Sequence, residues 1–308
     1  MDPITHAVSG LTVSYCLPEQ IKRQHIFCII AASLPDIDNL SFLFGKEIYL
    51  LHHRGFCHSF FGGMILSIIL TGIYRYIYKD SRWLQSLFIS YALVCLHLFL
   101  DLITSYGTQL FSPFSFYRCA IPCVFIIDFF FTGVLILGVV LSYVSLKYRK
   151  TIAMGCVCFI LIYPIFGKII QGIQLERAKA VLQQDNQSIH VLPAFLAPLY
   201  WKIIVDNDSH YELRHLSIFS AIEMYPSHQY DKAHLNTFIQ QSPKNSLLKT
   251  YAWFFDYPAL LKNKTNLQII DLKFISANPR LHSLHDKKNI PFMLNVSPDI
   301  HTKGGNKQ

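Results

Sequence analysis

Charge is scarce in this chain. Asp, Glu, Lys and Arg make up 15% of its 308 residues, against 52% hydrophobic residues and a mean hydropathy of +0.32. That shortage excludes an ordinary soluble protein, in which about 25% of residues are charged. Cysteine is absent beyond Cys158, although eight cysteines lie up to that point. The C-terminal part is therefore not stapled by disulfides, and most of the eight thiols sit in apolar runs, where a buried thiol behaves as a small hydrophobe. No lysine-rich helix and no aromatic–basic platform occurs. The formal charge of +8 is then better explained by basic loops beside a membrane than by nucleic-acid binding. The start, MDPITHAVSG, has no basic n-region, so no signal peptide is expected. Internal repeats and low-complexity tracts are also missing, and the tail HTKGGNKQ is expected to be disordered.

What charge exists is unevenly placed. Residues 1–170 hold 12 Lys/Arg and 8 Asp/Glu, and the shorter remainder holds 15 and 11. The first part reads as a helical transmembrane bundle and the second, residues 185–308, as a β-rich soluble domain. Four apolar runs, about 59–78, 84–101, 123–146 and 151–170, approach or exceed the ~20 residues that cross a bilayer. Two shorter segments, about 3–17 and 24–34, read as short N-terminal helices. Asp2-Pro3 is a start signal for the first, with Asp as N-cap and Pro at the first helical position, and it puts His6 in the opening turn. Pro35 is expected to end the second and to present Asp36 and Asp38 just beyond it. In the C-terminal part, LYWKIIV and HYELRHLSIF read as two strands around the turn DNDS. TYAWFFDYP, NLQIIDLKFIS and IPFMLNVS are further strand candidates.

The basic residues orient the bundle. Lys22-Arg23, then Arg75, Lys79 and Arg82, then Lys147, Arg149 and Lys150 occupy alternate loops. In an up-down bundle these loops share one face, which the positive-inside rule makes cytoplasmic. His6, Asp36, Asp38, the stretch His52 to His58, the 101–122 loop and the C-terminal domain then fall on the opposite, extracytoplasmic face.

That face collects the ionisable residues of an otherwise apolar region. HLFLD places His97 and Asp101 at i and i+4 on one helix face near the end of a span, where such groups are costly and usually functional. Alone, the pair reads equally well as a hydrogen bond that fixes two helices. LPDID, holding Asp36 and Asp38, is by itself a common turn or cap. HHRGFCH sets His53 and His58 five residues apart, so a loop must enter a helix for them to converge. Asp128 in FIIDFFFTG is a carboxylate in an apolar run. Together, imidazoles and carboxylates are the usual ligands of zinc or manganese, and such a site lowers the pKa of a bound water towards about 7. Cys57, Cys119 and Cys123 are weaker ligand candidates, because buried apolar thiols are common. Arg54 cannot ligate a cation; its guanidinium suits a phosphate or carboxylate.

THAVSG, ASLPDIDNL, HHRGFCHS, HLFLDLITSYGTQLFSPFS and FIIDFFFTG, in this order, resemble the motifs of the YdjM-type, LexA-regulated, membrane-bound metal-dependent hydrolases. LPAFLAPLYWKIIV, YAWFFDYP and LQIIDLKF are similar to the soluble tail of many members. The resemblance implies His6, Asp36, His53, His58, His97, Asp101 and Asp128 as metal ligands, and a multi-pass protein of the bacterial inner membrane. More distantly, the pattern is similar to the zinc-dependent phospholipase C and P1 nuclease group of phosphoesterases. That group builds its site from an N-terminal tryptophan, which does not stand at the start of this sequence. The resulting expectation is a membrane-bound hydrolase using a divalent metal, zinc or else manganese, on a phosphoester of a lipid or lipid-linked substrate. Arg54 would hold the anion and Asp38 would orient the water. The alternative is a non-catalytic membrane protein that binds metal for transport or scaffolding. A transporter, however, is expected to carry ionisable groups at mid-depth, often with repeats.

Overall fold

The computed structural model describes residues 1–18, 21–79, 82–182, 188–219, 228–262, 267–275 and 292–296. The chain divides into two compact units, Met1–Ile169 and Ile170–Gln308.

The first unit is helical: α1 (Pro3–Cys16), α2 (Gln24–Ser33), α3 (Lys46–His52), α4 (Phe60–Tyr78), α5 (Trp83–Leu102), α6 (Phe129–Val144) and the first part of α7 (Arg149–Leu182). As expected, Asp2 caps α1, its carboxylate accepting from Thr5 N at 3.0 Å, with Pro3 in the first turn. Gly10 lets α1 lie directly on α2: a Cβ there would stand 2.5 Å from the Cys28 carbonyl oxygen and 2.7 Å from Ala32 Cβ. Gly63 does the same for α4 on α5, where an added Cβ would meet Val94 Cγ1 at 2.5 Å. Among the described residues, four stretches are long and apolar enough to cross a membrane: Gln24–Phe44, Phe60–Tyr78, Trp83–Leu102 and Arg149–Leu182.

Two expected segments differ from the structure. The 24–34 segment is longer, because Pro35 stops the α-helical ladder without stopping the helix. Leu34–Phe44 continues as a 3-10 helix in which Pro35 falls in the first turn, where its missing N–H costs no bond. The 123–146 segment is shorter, because residues before 129 are taken up by other pairings. Ile121 N donates to the Leu102 carbonyl at 2.7 Å, and Cys123 N and Val124 N donate to that of Ile103 at 3.0 and 3.1 Å. The helix starts only after Asp128, whose carboxylate accepts from Phe131 N at 2.9 Å.

Among its described residues, the second unit holds two antiparallel sheets. One has the order β1-β2-β3-β4 (Ile189–Pro193, Tyr200–Asp206, His210–Ser217, His228–Asp231) and the other β5-β6-β7 (Pro258–Lys262, Leu267–Asp271, Leu294–Val296). The expected hairpin is β2–β3, closed by Asn207 N donating to the His210 carbonyl at 3.1 Å. Its residues alternate: Trp201, Ile203 and Val205 pack with Ile170 and Ala178 of α7, whereas Ile204 packs with Ile270 and Leu272. β6 and β7 arise within NLQIIDLKFIS and IPFMLNVS. TYAWFFDYP is not a strand. Its first half belongs to helix α9 (Ser246–Phe254), because Asn245 caps Leu248 N at 3.2 Å and Leu248, Tyr251 and Phe254 recur at helical spacing on the buried side. A short helix α8 (Leu235–Gln241) precedes it. The tail HTKGGNKQ lies outside the described residues.

Lys202, buried in mid-β2, donates to the carbonyls of Leu272 (3.0 Å), Lys273 (2.5 Å) and Ile275 (3.0 Å). It thereby ties the two sheets together. Lys202→Met should strand those carbonyls and cost roughly 3 kcal/mol. Amide exchange of β6 in the full chain should then speed up by about 100-fold; unchanged protection would remove Lys202 from this role.

Candidate metal centre

The ionisable residues converge where the helices end. His6 comes from the opening turn of α1, and Asp36 and Asp38 from the 3-10 segment. His53, Arg54 and His58 come from the link between α3 and α4, and His97 and Asp101 from the last turns of α5. Among the described residues, two overlapping groups are spaced to hold an ion: His58, His97 and Asp101, and His6, Asp36 and His97.

The ring tautomers are set from behind. His97 Nδ1 lies 2.7 Å from the Ala32 carbonyl oxygen, which can only accept. The proton is therefore assigned to Nδ1, and in the neutral ring Nε2 carries the lone pair. His58 Nδ1 likewise faces Asp38 Oδ2 at 2.8 Å, which turns its Nε2 lone pair inward. The two Nε2 atoms meet at 3.1 Å. His58 Nε2 is 3.2 Å from Asp101 Oδ2 and 3.6 Å from Asp36 Oδ1. His97 Nε2 is 3.5 Å from the former and 3.9 Å from the latter.

In the neutral tautomers His58 Nε2, His97 Nε2 and Asp101 Oδ2 therefore face one another as acceptors, and Asp36 Oδ1 faces the two imidazoles. Both imidazoles and Asp101 are buried, so solvent does not neutralise them. Such a group needs a positive charge. Burial works against charge on His58, yet Asp38, Asp101 and Asp36 outweigh it and hold its imidazolium well above the usual histidine range. A metal ion answers the same need. Ligands about 2.0–2.1 Å from a tetrahedral zinc stand about 3.3 Å apart, and the observed separations bracket that value. The residues fit a divalent ion.

His6 is a further donor. Its ring stacks on His97 with centroids 3.6 Å apart, and Nε2 lies 3.4 Å from Asp101 Oδ1. Neither ring nitrogen makes a hydrogen bond among the described residues.

The remaining sequence candidates stand elsewhere. Asp38 is behind His58, accepting from His53 Nδ1 at 2.9 Å and from Arg54 N at 3.0 Å as well as from His58. It positions the candidate ligand His58 and is already occupied by these three donors, in place of the expected water. His53 belongs to neither ion-sized group and stacks on Tyr49 at 4.7 Å. Burial, opposed by Asp38, lowers its pKa. Asp128 is also in neither group. One oxygen caps α6, and the other accepts from the Tyr163 hydroxyl at 2.8 Å. An Asp at the head of an apolar helix is a cap, and that signal was present in FIIDFFFTG.

Arg54 is turned inward. Its backbone is left-handed (φ 56), with its N–H on Asp38 and its carbonyl accepting from Gln109 N at 2.9 Å. The guanidinium donates from Nη2 to Asp101 Oδ1 at 2.9 Å and from Nη1 to Thr104 Oγ1 at 2.9 Å, and it lies 4.7 Å from the Tyr106 ring centroid. Nε has no partner among the described residues. Thr104 and Tyr106 were not singled out from the sequence, although they follow Asp101 directly in DLITSY. The Met1 amino nitrogen also contacts Asp101 Oδ1.

Among known proteins, an uncharacterized protein of Bacillus subtilis (strain 168), YfhP, is 30% identical over 124 residues, 37% of this chain. The match spans 38% of that protein's length. No solved structure matches. The family model described as "YdjM inner membrane protein" matches residues 1–174, the region that carries every residue of the cluster. The chain belongs to the YdjM inner membrane protein family.

Proposed function

We propose that the protein is a membrane-bound metal-dependent hydrolase acting on a phosphoester of a lipid or lipid-linked substrate. One observation carries this reading: His58 Nε2, His97 Nε2 and Asp101 Oδ2, all on buried side chains, lie 3.1–3.5 Å from one another, and Asp36 Oδ1 lies 3.6 and 3.9 Å from the two imidazoles. These residues would hold the ion, with His6 as an additional donor. Zinc suits imidazole with carboxylate, and manganese is the second choice. Such an ion supplies Lewis acidity and a nucleophile at neutral pH. Asp38 keeps His58 in the ligating tautomer, and Arg54 holds Asp101 in place. The unpartnered Nε of Arg54 is a donor for an anionic oxygen. The Asp36 side chain, 16% exposed, is the accessible side of the cluster.

The test is turnover by detergent-purified protein on a panel of lipid extracts and nitrophenyl phosphodiesters, before and after chelation. Expected is metal-dependent release that His58→Ala abolishes. Full metal occupancy with no turnover on any member would favour the non-catalytic alternative, metal binding for transport or scaffolding.

The basic alternate loops support placing this site and residues 185–308 outside the cytoplasm. Alkaline phosphatase fused after Leu182 should be active, and green fluorescent protein at the same place dark. The reverse pattern would move the substrate to the cytoplasmic leaflet.

A further inference from the structure

Between Asp101 and Asp128 the chain holds no acidic residue and one basic residue, Arg118. Within this loop Phe111, Phe114, Phe116 and Tyr117 are 55%, 82%, 63% and 73% exposed. In water such a patch would be an aggregation liability.

Two contacts fix its depth. Phe111 packs on Phe60 with ring centroids 6.0 Å apart, and Phe114 packs on Phe61 at 5.7 Å. Phe60 and Phe61 are the first two residues of α4, so these loop aromatics stand level with the end of a span. The loop is also built onto the metal centre. Thr108 and Cys119 exchange two backbone hydrogen bonds of 2.9 Å at its base. Gln109 N donates to the Arg54 carbonyl at 2.9 Å, and Phe60 N donates to that of Leu110 at 3.0 Å. Irregular backbone cannot lie in hydrocarbon, because its polar groups would go unsatisfied. Tyr rings concentrate at the headgroup level, and Phe rings of interfacial segments bury into the headgroup–acyl boundary just below it.

We propose that residues 108–118 form an interfacial collar that docks on the headgroup–acyl boundary of the leaflet at the metal centre's end. The collar holds the centre against that leaflet, so a phosphoester headgroup enters sideways from the bilayer. This second half rests on the hydrolase reading; the docking itself does not.

Docking is read without catalysis. Phe114→Trp in the full chain is reconstituted into phosphatidylcholine–phosphatidylglycerol vesicles, and its emission is compared with that of the parent protein. The added tryptophan should be quenched by lipids brominated near the carbonyl end of the acyl chain and shielded from aqueous iodide. Quenching by iodide alone, or shielding from both quenchers, would overturn the collar, the latter outcome indicating a protein-covered face. The entry route is read with Phe114→Asp/Phe116→Asp, which alters exposed side chains outside the metal centre. This variant should keep its metal content and its turnover of a water-soluble nitrophenyl phosphodiester. Its rate on lipid in vesicles should fall roughly tenfold. Equal loss on both substrates, or loss on neither, would overturn lateral entry. Bromolipid quenching without turnover of any substrate would leave the collar standing and remove the hydrolase reading.

Discussion

Asp101→Asn should leave a folded protein that no longer holds metal. The substitution exchanges an anionic ligand for a neutral amide in a space already crowded with acceptors. It also takes the charge from under the Arg54 guanidinium, 2.9 Å away, leaving a buried cation without its partner. Loss of an outer partner typically lowers metal affinity 10–100-fold. Loss of an anionic ligand should exceed that, by about 10³-fold or more in all, and turnover should vanish with the metal. Mass-spectrometric metal content of detergent-purified protein is the measurement. Asp128→Asn is the contrast: Asp128 caps α6 and meets Tyr163, so that variant should stay fully loaded and lose only about 1 kcal/mol. Near-zero metal in the parent itself would sink the assignment. Occupancy should also rise with pH, because protons compete for His58, whose neighbouring carboxylates favour its charged form.

Arg54 should fail in a graded way. Arg54→Lys keeps a positive charge but can reach only one of the two groups, Asp101 Oδ1 and Thr104 Oγ1, that the guanidinium now joins. Metal should be largely retained, while kcat/KM falls by about 10²–10³ if the same guanidinium also meets the substrate anion. Arg54→Ala frees Asp101 as well, so metal affinity should drop by about 10–100-fold in addition. Metal titration and steady-state kinetics on the same preparations separate the two effects. Normal kinetics in Arg54→Lys with weakened metal in Arg54→Ala would leave Arg54 as a support for Asp101 alone.

Most of the residues that the structure brings together in the candidate site were legible in the sequence, since polar residues at the ends of apolar runs are costly and therefore informative. His97 and Asp101 at i and i+4 on one helix needed only helical geometry. His6, Asp36 and His58 needed the further step that three separate segments end at the same level. His53 and Asp128 show where such reading stops. His53 and His58 each meet one oxygen of Asp38, but His53 stacks on Tyr49 while only His58 reaches an ion-sized group. Asp128 has the same composition signal as Asp101, but both its oxygens are used by α6 and Tyr163. The TYAWFFDYP segment shows the same limit in the second unit: aromatic content suggested a strand, and a cap at Asn245 made a helix.

The sequence by itself determined that this is a membrane protein with a β-containing C-terminal part, and that its ionisable groups gather at one end of the helices. Those facts follow from hydropathy, spacing and the cost of charge in lipid, all of which are local along the chain. Only the tertiary structure decided which groups face one another as candidate ligands and which stand behind them. That division depends on tautomers and angles set by distant partners: the Ala32 carbonyl on His97, Asp38 on His58, and Thr104 holding Arg54 against Asp101. A side chain's lone pair points where its other hydrogen bonds allow, and those bonds come from residues far away in sequence.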